Sequence, residues 1–364
     1  MKSLKFLHNF YKVNKNSYIF TSRYSASNGI VPQIDNNQPF NQQHEQKQEK
    51  QGQQEQHNKK SDRKYWSNII GIIGLSGILF ISSLGYSSYL EHNRKEKVFH
   101  AFKYGRIAPN LDISHFVKRP DINKQLNYIL TPEANSKSYH LIVGENGTGK
   151  TTALIQACNE VNGAVGGIVY VSVPETVDEF GKLLGDSFNF DFNEDATPKG
   201  YVNRFFVPSP PRSYSSHGCF RRVKPFIEEA ATRYKQQYNR PPVLVIDNIN
   251  WLALKDSEML EVLQDFAKNH ADKSDLTVVF VSSDGNGPRY LRDRSSFSRC
   301  EKPIMEIGDI SENDAIAFLT DDGVDPDIAS IIVKEITGGR FQLLNEAKKN
   351  LKKVYHHLKL KKVI

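Results

Sequence analysis

The octapeptide Gly144-Glu145-Asn146-Gly147-Thr148-Gly149-Lys150-Thr151 gathers three glycines, a lysine and two hydroxyls within eight residues. Glycines at 144, 147 and 149 let backbone N–H groups turn inward around an anion, because no Cβ obstructs the turn. The apolar run Leu141-Ile142-Val143 precedes the loop, and a helical stretch from Thr152 to Val161 follows it. In that strand–loop–helix setting the helix N-terminus turns its partial positive charge to the same anion. Lys150 has the reach to meet the β- and γ-phosphates of a nucleotide, and the Thr151 hydroxyl suits a magnesium ion. Gly144, Glu145, Asn146, Gly147, Thr148, Gly149, Lys150, Thr151 and Thr152 are therefore the expected nucleotide-binding residues, with ATP and Mg2+ as ligands.

A phosphate-bound magnesium calls for an acid at the tip of a buried strand. Pro241-Pro242-Val243-Leu244-Val245-Ile246-Asp247 supplies one, so Thr151 and Asp247 are the expected metal pair. The run Leu276–Val281 ends in Ser282-Ser283-Asp284, which resembles the strand end that carries the polar γ-phosphate sensor of P-loop ATPases, or is simply a polar strand end; Ser283 is the first choice and Ser282 the second. Arg289, Arg292, Arg294 and Arg299 follow, any of which could serve as a finger to a neighbouring subunit's nucleotide, or simply as a solvated basic loop. A GTP-specific reader would show Asn-Lys-x-Asp after a later strand; Asp272-Lys273-Ser274-Asp275 only echoes it, so the base is expected to be adenine.

The elements that must hold these residues follow from the apolar pattern. Short runs at His140–Val143, Ile168–Val173, Val243–Ile246, Thr277–Val281 and Ile304–Ile307 alternate with helical stretches. Alternating strands and helices predict an α/β body with a parallel sheet covered on both faces. After Ile307 only helices are expected, at about 311–320, 326–336 and 340–361, forming a small helical lid.

Together, GENGTGKTT, VLVIDNIN, VVFVSSDG and ISENDAIAFL…IIVKEITGGRFQLL resemble an AAA+-type P-loop ATPase, closest to the branch containing the archaeal-type and STAND ATPases. The resemblance covers roughly residues 112–347. It implies a five-stranded parallel P-loop NTPase sheet with the P-loop strand central, and a lid closing over the base. It also implies a segment near the adenine, matched here by Phe116-Val117-Lys118-Arg119-Pro120 and Ile122–Leu130, and a lid arginine facing the phosphates, matched by Arg340. One departure stands out. Many hydrolytic members carry Glu directly after the strand-tip Asp, whereas this chain has Asn248-Ile249-Asn250. Asn248 can orient a water but cannot take its proton, which leaves catalysis to another acid such as Glu145 or Asp284, or leaves hydrolysis slow. Lys150, Asp247, Asn248, Ser283 and Arg340 are the expected catalytic set.

Outside this body the composition changes. Residues 1–28 are basic, Ser-containing and free of acids, resembling a mitochondrial presequence, and Arg23-Tyr24-Ser25 resembles a matrix-peptidase site. Residues 29–64 form a Gln/Asn-rich stretch expected to be a disordered linker. From Tyr65 to Leu90 no residue is charged, aromatics stand at both ends, and about 20 apolar residues suffice to span a bilayer, so one transmembrane helix is expected there. The remaining divisions are a juxtamembrane connector (91–111), the P-loop core (112–307), the lid (308–347) and a basic C-terminal helix (348–364). The presequence-like start and the single span together place the chain in a mitochondrial membrane, the inner one by preference. Which side of it the ATPase domain faces does not follow, because basic residues flank the span evenly.

The net charge of +7 belongs to the ends: residues 1–64 carry +6 and 348–364 carry +7, leaving −6 on 65–347. An acidic body argues against a nucleic-acid partner. Three scattered cysteines make no disulfide framework or zinc site. Three functions stay open on the sequence, of which a nucleic-acid-associated ATPase is the one the acidic body disfavours. Another is a membrane-anchored ATPase that remodels or regulates a protein complex, with a protein partner or a second copy of itself; the third is a nucleotide-gated switch with little turnover.

Overall fold

The structure is a computed structural model, and it describes residues 41–107, 119–192 and 215–361. The chain forms two compact units, Met1–Ile73 and Gly74–Ile364. The presequence-like segment 1–28 and Phe116–Lys118 lie outside the described residues. In the first unit the expected linker is instead helical from Asn41 onward, as the start of α1 (Asn41–Tyr104). No proline interrupts 41–107, and Gln, Glu and Lys lose little rotamer freedom in a helix. Among the described residues no helix is long and apolar enough to cross a membrane. The side chains at 72, 75, 76, 79, 80 and 83, within the uncharged run, are not among those described.

The second unit is built on a six-stranded, wholly parallel sheet in the order β1-β3-β4-β5-β2-β6. The strands are β1 (Arg106–Ile107), β2 (His140–Val143), β3 (Ile168–Ser172), β4 (Val243–Asp247), β5 (Thr277–Ser282) and β6 (Met305–Glu306). Between them lie α2 (Pro120–Leu130), α3 (Lys150–Val165), α4 (Phe180–Ser187), α5 (Ser216–Tyr238), α6 (Asn250–Lys255), α7 (Ser257–Lys273) and α8 (Asn286–Arg292). After β6 come α9 (Glu312–Thr320), α10 (Pro326–Ile332), a π turn at Val333–Thr337 and α11 (Phe341–Lys361). Two expectations change. A sixth strand, β1, joins the expected five; its two residues carry no readable period. The P-loop strand β2 is not central but lies one in from the β6 edge.

The central strands are buried on both faces, as parallel strands under helices must be. Alternation divides their side chains. Leu244, Ile246, Val278 and Phe280 join one apolar cluster, while Val243, Val245, Val279 and Val281 join another with Ala153, Leu154 and Cys158 of α3. The expected connector 91–111, as far as residue 107, is also part of the body. Val98, Phe99, Ala101 and Phe102, at the end of α1, are buried in the first cluster. The Phe102 ring meets Phe188 edge-on at 5.1 Å. The helices after β6 have a core of their own, made by Ile310, Ala315, Phe318, Leu319, Val333 and Leu344.

Candidate functional site

Parallel pairing brings the C-terminal ends of the strands to one edge. Ser172 is opposite Asp247, Val143 is opposite both Ser282 and Glu306, and the loop 144–149 springs from that edge. Gly147 and Gly149 have φ of +83° and +85°, where a β-carbon is strained. A Cβ on Gly144 would stand 2.3 Å from the Ile307 carbonyl oxygen, and one on Gly149 2.9 Å from the Phe341 ring. Gly149 leads directly into α3, whose first turn has no side-chain cap, so its N–H groups are open to an anion. The loop is thus a backbone cradle that only glycine permits.

Lys150 is buried and its ammonium donates to the Glu145 carbonyl at 2.7 Å. Burial lowers its pKa, opposed by the Asp247 carboxylate. Asp247 is fully buried at the tip of β4. Its Oδ2 accepts from the Thr151 hydroxyl at 2.9 Å and from the Tyr170 hydroxyl at 2.7 Å, while its Oδ1 accepts from the Asn248 backbone N–H at 2.7 Å. Thr151 and Asp247, proposed from sequence as a metal pair, therefore sit in direct contact. Two hard oxygen donors beside a lysine and a glycine cradle fit a magnesium nucleotide.

Asn248 turns the chain at φ +60°, a left-handed conformation that asparagine tolerates better than most residues. Its side-chain amide donates to Ser172 Oγ at 2.9 Å and accepts from Ser283 Oγ at 3.4 Å. The two-residue period of β5 separates the paired serines. Ser283 continues the side of Val279 and Val281 and reaches Asn248, whereas Ser282 points to the other face and donates to the Asp284 carbonyl at 2.9 Å. Asp284 itself accepts from the Asn286 N–H at 3.0 Å, and the Glu145 carboxylate is paired with Arg340 at 2.6 Å. Each alternative acid thus already has a partner, that of Glu145 lying at the cradle itself.

Arg340 stands at the lid side of the cradle. It pairs with Asp309 at 2.7 Å as well as with Glu145, and donates to the Asn146 carbonyl at 3.1 Å. Those two carboxylates, Asp309 first, hold its guanidinium above the ordinary range. The Gln342 N–H donates to the Gly147 carbonyl at 3.1 Å, and Arg119 reaches the Gly308 carbonyl at 2.9 Å. Asp309 and Gln342 carry no signal in the sequence that marks them for the site. Tyr170 carries one: a hydroxyl inside the otherwise apolar stretch Ile168–Val171.

The remaining candidates do not converge here. Arg294 pairs with Glu261 and Asp265, and Arg299 with Asp272, so both fasten their own loop. Arg289 and Arg292 are carried on α8. Of the Asp272–Asp275 echo, Asp272 pairs with Arg299 and Asp275 with His270, and Ser274 ends α7. Within one chain these pairs are structural; a finger would act on a neighbouring subunit's nucleotide.

This site lies within a stretch, residues 134–285, that matches the family model described as an AAA domain. The chain carries an AAA-type P-loop ATPase domain. Among solved structures it is similar to the Walker-type ATPase paby2304 of Pyrococcus abyssi, at 15% identity and a TM-score of 0.45, covering 71% of this chain and 78% of that one. It is also similar to Cdc6p from Pyrobaculum aerophilum (15%, TM-score 0.42, covering 65% and 61%). A third is the Aeropyrum pernix ORC1 protein, solved in complex with DNA (15%, TM-score 0.40, covering 69% and 62%). The chain spans less than two thirds of the length of the latter two. No curated protein matches it.

Proposed function

We propose that the chain is an ATP-binding switch of the AAA type, in which the nucleotide sets the lid and turnover is slow. The observation that carries this reading is Asn248. It occupies the position after the strand-tip acid, and both of its amide atoms are engaged, by Ser172 and by Ser283. An amide so held neither accepts a proton nor turns freely toward a water. In this reading Lys150 and the N–H groups of 144–152 hold the phosphates, Thr151 and Asp247 hold magnesium, and Ser283 and Arg340 sense the terminal phosphate. Magnesium, when bound, would neutralise charge between the last two phosphates.

The test pairs equilibrium binding of a fluorescent ATP analogue with steady-state phosphate release. The expected result is magnesium-dependent binding with turnover below about one per minute, against the roughly 1–1000 per second of typical enzymes. Lys150→Ala should abolish binding. Turnover in the ordinary enzymatic range would replace the switch by a remodelling ATPase.

A membrane tether through residues 65–90 belongs to the same proposal. Its support is the uncharged run itself and the outward-facing Ile70, Ile78 and Ile81, each at least 65% exposed. The acid-free, basic start supports a mitochondrial membrane. Alkaline extraction of fractionated organelles decides both: release into the supernatant would remove the tether, and recovery in another fraction would remove the address.

A further inference from the structure

The expected metal pair Thr151 and Asp247 is joined by a side chain from a neighbouring strand. Tyr170 is two residues before the end of β3, on the same face as Ser172, and Ser172 is in register with Asp247. Its ring is buried among the side chains that pack β3 and β4 against α3. Its hydroxyl donates at 2.7 Å to Asp247 Oδ2, the oxygen that also accepts from Thr151. Packing alone would be served by phenylalanine, and a buried hydroxyl is costly unless paired. Here it is paired with the carboxylate the site depends on.

We propose that Tyr170 is a positioning residue for the magnesium site, holding the Asp247 carboxylate in the orientation that serves Thr151 and the ion. This rests on the reading of Gly144–Thr151 as a magnesium-nucleotide site. The geometry divides the carboxylate's work. Oδ1 is fixed by the Asn248 backbone N–H, and one side of Oδ2 is fixed by Tyr170. What stays available on Oδ2 is the direction of Thr151. Without the Tyr170 hydroxyl the carboxylate keeps its charge but loses one of the two donors that set its rotation from outside the loop. The ion should then be held less well, while phosphate contacts made by Lys150 and the glycine loop are unaffected.

The experiment is a titration of the full chain with a fluorescent, non-hydrolysable ATP analogue, in excess magnesium and in EDTA. For Tyr170→Phe the EDTA affinity should equal that of the native chain, and the gain in affinity on adding magnesium should fall about tenfold, the scale of one hydrogen bond to a charged group. In an Asp247→Asn background the same substitution should change nothing further. That double variant leaves no buried charge short of a donor, so it keeps the test sound if the single variant folds poorly. An unchanged magnesium gain in Tyr170→Phe, equal losses with and without magnesium, or a further effect in the Asp247→Asn background would each overturn the assignment. A native chain that binds no magnesium nucleotide would overturn the underlying reading as well, which separates the two failures.

Discussion

Asn248 stands at φ +60°, a region that costs an ordinary L-residue roughly 1–2 kcal/mol. It is held there by its own links, to Ser172 on β3 and Ser283 beyond β5. Asn248→Ala removes both links and keeps the backbone strain, while Asn248→Gly removes the links and relieves the strain. Urea denaturation should therefore find the alanine variant destabilised by about 2 kcal/mol, and the glycine variant recovering about 1 kcal/mol of that. Equal midpoints for the two variants would show that the turn is unstrained. A second residue gives the fold a pH dependence. His140, which opens β2, has its pKa pushed down to about 4 by burial, with Glu301 opposing. The folded state keeps it neutral, while the unfolded chain takes up a proton below about pH 6.5. Its contribution is thus fully present above about pH 6.5 and is lost as the pH falls toward 4, by about 3 kcal/mol. His140→Phe should flatten the fall in denaturation midpoint between about pH 7 and 4.5; parallel curves would discharge His140 from that role.

At the scale of elements, the lid touches the P-loop through three successive residues. Arg340 pairs with Glu145, Phe341 packs over Gly149, and Gln342 bonds Gly147. The Arg340 pairs are open to solvent, so they position the lid more than they stabilise the whole fold. Arg340→Ala should speed hydrogen exchange over 311–346 while the amides of β4 and β5 keep their protection. Faster exchange throughout the sheet would mean that Arg340 supports the whole body rather than the lid. Much of this arrangement could be read in the sequence. The strands β2 to β5 are largely apolar runs, and the glycine loop and Asp247 sit at their ends. The lid helices expected at about 311–320 and 326–336 are present, and the structure caps them with the Ser311 and Asp325 side chains. Three things were not legible. Strand β1 is too short for a pattern, and the docking of Arg340 on Asp309 depends on tertiary approach. The buried stripe Leu90, Val98 and Phe102 of α1 is interrupted by the buried Arg94 and hidden by the charges around it.

That last stripe decides where the molecule's folded body begins. Reading charge and composition puts the start near 112, but packing puts the end of α1 inside the first apolar cluster. Phe102 meets Phe188 and Tyr234, and Arg233 stacks on Phe99 with its guanidinium 4.0 Å from the ring centre. Strand β1 covers the outer edge of β3. Losing one buried phenylalanine costs about 3–5 kcal/mol, a large share of the roughly 5–15 kcal/mol that stabilises a typical domain. A chain beginning at 112 would lose Val98, Phe99, Ala101 and Phe102 together and leave β3 as an unpaired edge, which favours aggregation. A chain spanning 88–364 should accordingly melt cooperatively and bind the ATP analogue, whereas one spanning 112–364 should show no cooperative transition and should aggregate. If both melt alike by circular dichroism, the end of α1 is an accessory to the ATPase body. If only the longer one folds, that helix end carries the nucleotide site's foundation, because β3 supplies both Tyr170 and Ser172 to it.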